Sequence, residues 1–385
     1  MSRPTLLIAG GGTGGHVFPA VAVAEAAQAL ADVDVVFVGT ERGVESRVVP
    51  ARGWRLERLD VEPMKGGGAV RAVRGALVAM RATLRAAGIV RRLRPRAVLS
   101  VGGYASGPAT LAAALLGVPV AVLEPNSTVG LANRLLAPFA RCAFIAWDEA
   151  IPSFRARAVR QYGVPLRAGF SPRPSSRRDA SVRVLVMGGS QGAAVLNERV
   201  PEALGQVARV ALQGRPIEVL HQAGRDRDAP VREAYLRAGI ERARVVPFID
   251  DVAQAIADAD LVVARAGAGT IAEVTAIGRA SVLVPFPHAA DDHQARNAQA
   301  LARAGAAVCL LQDQADASLL ASEIGRLLAD DVARRAMADR ARARGRPDAA
   351  HRVARDLLAL GAIDERARRD PPRLHSSSRR NGEWH

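Results

Sequence analysis

The chain has 385 residues, enough for two ordinary α/β domains that each bury a core. Its formal charge is +15, all but one of its 53 basic residues are arginine, and 49% of the chain is hydrophobic but only 4% aromatic, so the core must be built from Ala, Val and Leu. No apolar run is long enough to span a membrane, Thr5–Ile8 follows Met1 too closely for a signal peptide, and Cys142 and Cys309 sit far apart as small core residues, so a cytoplasmic protein without a disulfide or metal is expected.

A strand predicted at Thr5–Ala9 runs into Gly10-Gly11-Gly12-Thr13-Gly14-Gly15-His16 and then a helix-like Ala20–Leu30. A strand at Val33–Val38 follows. From Pro63 to Leu123 there is no acidic residue, while Lys65, Arg71, Arg74, Arg81, Arg85, Arg91, Arg92, Arg94 and Arg96 accumulate. On a helical wheel over Val70–Arg92, Arg71, Arg74, Arg81, Arg85 and Arg92 share one arc, beside an apolar arc of Val73, Leu77, Met80 and Leu84. That pattern fits an interfacial helix on an anionic membrane; a surface helix packing its apolar arc on its own sheet gives the same period.

Strands are next predicted at Ala97–Val101, before Gly102-Gly103-Tyr104-Ala105-Ser106-Gly107, and at Val118–Leu123 and Cys142–Ala146. Residues 163–180, rich in Pro, Arg and Ser, read as a linker. A second series begins with Val182–Met187 and its turn Gly188-Gly189-Ser190-Gln191-Gly192. It continues through Ile217–His221, Ala243–Pro247, Asp260–Ala264 before Gly267-Ala268-Gly269-Thr270, and Ser281–Pro285. Helical spacing at Asp348–Leu360 precedes an Arg-, Pro- and Ser-rich tail, 361–385, expected to be disordered. The expectation is therefore an α/β chain of two Rossmann-like domains facing across a cleft, 1–162 and 181–344, with a helix near 345–360 packing back on the first. Ligands would bind where the carboxyl ends of the strands face one another.

Glycine at such turns lets backbone N–H groups approach a ligand, and the helix start that follows favours an anion. One such turn is weak evidence of a site; four together are hard to explain as packing alone. Gly10, Gly12 and Gly15 also satisfy the dinucleotide fingerprint G-x-G-x-x-G, which keeps an NAD-dependent oxidoreductase open with Glu41 as its ribose carboxylate. That alternative leaves the second half's motifs without a task. No P-loop motif occurs, and Asp226-Arg227-Asp228 reads as a solvated loop better than as a metal-holding D-x-D. The high basicity raises nucleic-acid binding, but no zinc spacing or aromatic-interleaved basic run supports it.

Gly11–Ala20, Gly102-Gly103-Tyr104, Gly188–Ala193, Phe248-Ile249-Asp250-Asp251, Ala266–Glu273 and Asp292-His293-Gln294 occur in this order. With them the chain, from about Leu6 to about Leu360, closely resembles the MurG family. These are UDP-N-acetylglucosamine:muramyl-pentapeptide-diphosphoundecaprenol transferases of the GT-B fold.

The resemblance implies an inverting transfer of N-acetylglucosamine from UDP-N-acetylglucosamine to the muramyl sugar of undecaprenyl-diphospho-muramyl-pentapeptide, with another UDP-sugar-dependent lipid glycosyltransferase as the alternative. It also implies peripheral attachment to the cytoplasmic face of the inner membrane, and no cofactor. By the same resemblance Ile249 meets uracil and Glu273 the ribose hydroxyls. Ser190 and the turn Ala268, Gly269, Thr270, Ile271 and Ala272 lie around the diphosphate, and Arg167 also contacts the donor. Gln294, Asn126, Thr13, Gly14 and Gly15 contact the sugar.

The residue types suit these tasks, since a carboxylate accepts two hydroxyls and an amide both donates and accepts. Where the family usually has His-Glu-Gln-Asn this chain has Leu123-Glu124-Pro125-Asn126, and His293 replaces a second glutamine of some members. His16 is the candidate general base, with an anchoring role as its alternative, and Glu124 is the second candidate. Gly103 and Tyr104 are candidates for the acceptor's diphosphate.

Overall fold

In the computed structural model Leu6 and Ile8 of the first strand turn to one face of a sheet and Leu7 and Ala9 to the other, all four in buried apolar clusters. A strand buried on both faces is the signature of a parallel sheet covered by helices on each side. The structure describes residues 3–61, 69–154, 158–174, 181–189, 192–210, 212, 214–289 and 292–365, with side chains throughout except at 69–77.

The first sheet contains β1 (Thr5–Ala9), β2 (Asp34–Gly39), β3 (Arg55–Arg58), β4 (Ala97–Ser100), β5 (Val120–Glu124), β6 (Cys142–Ile145) and β7 (Ala158–Gln161), in spatial order 3-2-1-4-5-6-7. The second contains β8 (Val182–Met187), β9 (Ile217–Gln222), β10 (Ala243–Val246), β11 (Leu261–Ala264), β12 (Ala280–Leu283) and β13 (Val308–Cys309), in order 10-9-8-11-12-13. Every pairing is parallel. Strand order thus reverses between β1 and β4 in one sheet and between β8 and β11 in the other. Those switch points open crevices at the strands' carboxyl ends.

All ten strands expected from sequence are present, with ends moved by up to two residues. Three further strands lie at or next to sheet edges. β3 reads Arg-Leu-Glu-Arg and is half-exposed, β7 ends in Arg160 and Gln161, and β13 is two residues long, so none carries an apolar run.

The helices that matter for the site are α1 (Gly14–Leu30), the short α2 (Glu45–Val48), α3 (Ala69–Leu93), α4 (Ser106–Leu115), α5 (Leu131–Leu136), α9 (Ala268–Ile277) and α10 (His293–Arg303). The last helix, α13 (Ala349–Leu360), follows the second sheet in sequence yet packs on α1 and β4, with Val353, Ala354, Leu357 and Leu358 in the first domain's core. The chain therefore crosses between domains twice. The crossings touch: a Cβ on Gly163, whose φ is +88°, would lie 2.7 Å from Cβ of Arg346. Within the first crossing Leu166 and Phe170 are buried against the second domain's core, apolar anchors in a segment that shows no apolar period.

Candidate functional site

The first two glycine turns interlock. Gly11 N–H donates to Gly102 O at 3.2 Å, and Cβ atoms on Gly10 or Gly103 would lie 2.2 and 2.4 Å from Gly102 O and Gly11 O. With φ of +135° and +87°, both positions need glycine for its backbone and for its lack of bulk. Thr13, at the N-cap of α1, and Gly15 are exposed, and Gly14 is half-buried against Phe18. Tyr104 stands 51% exposed on the second turn, so it is not a core aromatic.

His16 lies in the first turn of α1, half-buried, with its Nδ1 3.3 Å from Gly11 O and its Nε2 beside Gly102. Donation from Nδ1 to that carbonyl leaves Nε2 unprotonated. Burial holds the imidazole pKa below its usual value. The Glu124 charge and the Gly11 carbonyl oppose that, and His293, from the other domain, adds to it.

Glu124 ends β5, is 2% exposed and is saturated by donors. Oε1 accepts from the backbone N and Nδ2 of Asn126, both at 3.1 Å; Oε2 accepts from Gly130 N and Asn133 Nδ2, both at 3.0 Å. This carboxylate shapes the 124–130 loop. Pro125 leaves the turn intact, and its carbonyl accepts from Trp147 Nε1 at 3.2 Å. Asn126 is half-buried; with Nδ2 committed to Glu124, its Oδ1 remains as a free acceptor. One residue on, Ser127 N–H donates to Asn297 Oδ1 of α10 at 3.2 Å, a direct bond between the domains.

In the second domain, Gly267, Ala268, Gly269, Thr270 and Ile271 form the N-terminus of α9 at the end of β11. Ala272 and Glu273 follow, half-buried. Burial pushes the Glu273 carboxyl up to about 7, with the Arg167 guanidinium pulling the other way. Arg167, on the first crossing, also lies over the Phe18 ring of α1 at 5.1 Å, so it spans both domains. Ile249 is buried after β10. Gln294, on α10, accepts the Phe286 N–H at 3.0 Å through Oε1, which leaves its Nε2 to donate. Ser190 lies outside the described residues.

The glycosyltransferase family 28 N-terminal domain matches residues 6–145, and that family's C-terminal domain matches residues 183–353. The chain belongs to glycosyltransferase family 28. A UDP-N-acetylglucosamine--N-acetylmuramyl-(pentapeptide) pyrophosphoryl-undecaprenol N-acetylglucosamine transferase of Sorangium cellulosum is 52% identical over 98% of this chain and 94% of its own. The enzyme of the same name from Syntrophotalea carbinolica is 43% identical over 91% of this chain and 97% of its own. The crystal structure of Acinetobacter baumannii MurG superposes with a TM-score of 0.79 at 32% identity, covering 93% of this chain and all of that one. The calicheamicin glycosyltransferase CalG4, at 18% identity and a TM-score of 0.61, shares the fold.

Two parts of this family 28 chain fell outside sequence reasoning. Glu45, Asn133 and Asn297 are buried polar side chains that build the loops, and several of their partners are too distant in sequence to show as motifs. The orientation of α3 is the other. Ala86, Ile89 and Val90 join the buried cluster that includes the sheet and Ala82 is also buried, while Met80 and Leu84 point outward, 55% and 68% exposed, next to exposed Arg81 and Arg85. Part of the apolar arc thus faces solvent instead of the protein's own sheet. Arg85 pairs with Asp60, and Arg92 with Glu57 at 2.8 Å. Arg71, Val73, Arg74 and Leu77 are on the same helix, with side chains outside the described set.

Proposed function

We propose that the chain transfers N-acetylglucosamine, with inversion, from UDP-N-acetylglucosamine to the muramyl hydroxyl of a diphospholipid-linked muramyl pentapeptide at the inner face of the membrane. The observation that carries this is the pair of switch-point crevices, each fitted with glycine turns and helix N-termini, facing one another in a chain 52% identical to a transferase named for that reaction.

In this reading the donor lies on the second domain. Ile249 offers its backbone to uracil, Glu273 accepts from the ribose hydroxyls, and the Ala268–Ala272 turn and Ser190 surround the diphosphate. The N-terminus of α9 favours the charge that develops on departing UDP, about 0.3–1 kcal/mol for an exposed helix end and more where buried. Arg167 joins Glu273 to Phe18 and couples donor binding to closure. Gln294 and Asn126 present complementary groups to the sugar, a free donor on one side and a free acceptor on the other. Thr13, Gly14 and Gly15 approach it from the first domain.

His16 is the general base. Its Nε2 takes the proton of the attacking hydroxyl as that oxygen bonds to the anomeric carbon and the bond to UDP breaks. Glu124 holds the Asn126 loop and adds its charge to His16 without touching substrate. Gly103 and Tyr104 face the acceptor's diphosphate. Met80 and Leu84 insert at the headgroup level, with the α3 arginines meeting anionic lipid; no described helix is long and apolar enough to cross a membrane. The test is acceptor-dependent release of UDP together with loss of turnover in His16→Ala. Full turnover in that variant would remove the base assignment while leaving the reaction.

A further inference from the structure

Glu45 is 1% exposed, and no arginine among the described residues pairs with it. A buried carboxylate without a counter-charge is costly unless every lone pair meets a donor. Here donors converge from two segments. Oε2 accepts Gly12 N–H at 2.7 Å, and Oε1 accepts both Thr40 N–H and Thr40 Oγ1–H at 2.9 Å. Thr40 Oγ1 in turn accepts Gly43 N–H at 3.2 Å, and Val44 N–H reaches Gly12 O at 3.4 Å. Three glycines wall the carboxylate in: Cβ atoms on Gly11, Gly39 and Gly43 would approach Glu45 atoms to 2.3, 2.6 and 2.1 Å. The bond to Gly12 ties the first glycine turn to the start of α2, 33 residues away.

We propose that Glu45 is a positioning residue for the transfer: its carboxylate pulls the Gly12 N–H inward and fixes the backbone turn from which His16 faces the cleft. The turn's direction is then set from beneath, and Thr13, Gly14 and Gly15 are the members left to meet ligand. An acceptor-only group is required. A glutamine has the same shape, but its amide NH2 would face either Gly12 N–H or Thr40 N–H, two donors with no acceptor between them. Glu45 also supplies negative charge near His16, one of the influences that keep its imidazole from falling further below the usual range. The catalytic consequence rests on the reading of His16 as base.

The experiment compares Glu45→Gln and Glu45→Asp with the parent protein. It follows turnover against pH and the His16 ring by nitrogen NMR, assigned through His16→Asn, with UDP binding as the check on folding. Glu45→Gln is expected to bind UDP normally, to lose roughly 10- to 100-fold in kcat/KM for the acceptor, and to show a His16 titration moved to lower pH. The acid limb of the rate profile should move with it. Glu45→Asp, too short to span both partners, is expected to lose turnover while leaving the His16 titration in place, which separates reach from charge. A His16 resonance that moves without the acid limb keeps Glu45 in this role and removes His16 as base. Parental kcat/KM in both variants, with an unmoved His16 titration in Glu45→Gln, overturns the proposal.

Discussion

A histidine accepts a proton in a transfer only when it is neutral and one ring nitrogen is free. His16 meets both conditions through its neighbours: its Nδ1–H donates to Gly11 O, which leaves Nε2 free, and burial disfavours the imidazolium. Removing the ring in His16→Ala should cost about 100- to 10,000-fold in kcat with little change in UDP affinity. In the parent, kcat/KM should fall with acid on a limb lying below the ordinary imidazole pKa near 6.5. The donor side carries a pH signature of the same direction, centred at higher pH. In its proposed role on the ribose Glu273 must be ionised to accept two hydroxyls, yet burial raises its pKa to about 7. UDP binding should therefore tighten as pH rises from 6 to 8. Glu273→Gln should flatten that dependence and weaken binding about 10- to 100-fold, as expected for losing a hydrogen bond to a charged group worth roughly 1.5–3 kcal/mol. Calorimetric titration of both proteins across that range checks it, and an equal slope in the two would contradict the ribose assignment.

The elements divide by whether their burial is local. β1 and β8 were legible because both faces are apolar, and the four glycine turns because each lies at the end of such a strand. β3 and β7 were not, because they carry charged residues near sheet edges. The α3 wheel gave the amphipathic period but not its direction, since two apolar faces compete for the sheet and the alanine-rich one with Ile89 and Val90 takes it. Leu84→Glu together with Arg81→Glu should leave turnover on a detergent-dispersed acceptor unchanged. It should also reduce binding to anionic vesicles, by about 1 kcal/mol or more for the lost cation alone at low salt. Vesicle sedimentation at two ionic strengths measures this. In the second domain His221 of β9 is enclosed, its ring nitrogens 2.9 Å from Tyr235 Oη and 3.1 Å from Asn197 Oδ1, and burial lowers its pKa to about 3. The unfolded chain binds a proton there below about pH 6.5 and the folded one does not. Stability present above that pH should be lost on acidification towards 3, at up to about 1.4 kcal/mol per pH unit. Urea unfolding of the parent and His221→Gln at pH 7 and 5 would register it as a smaller pH difference in the variant.

At the scale of the molecule, two switch-point crevices work as one site only if the domains stay in register. Among the described residues the contacts that hold them include the Ser127–Asn297 bond, the Glu149–Arg303 pair, the Arg167 bridge, the touching crossings at Gly163 and Arg346, and α13 returned to the first core. Leu357, fully buried in that core, should cost about 2–5 kcal/mol as Leu357→Ala. Since α13 is the second domain's tether to the first, that loss should appear in both domains. The central claim is a sugar transfer between a nucleotide donor and a lipid-linked acceptor, and one assay meets it directly. UDP release from UDP-N-acetylglucosamine is measured in detergent and chelator, with and without a muramyl-pentapeptide diphospholipid. The account predicts release only with the acceptor, matched mole for mole by a disaccharide lipid. Equal release with and without the acceptor, or none from folded protein that binds UDP, would contradict it.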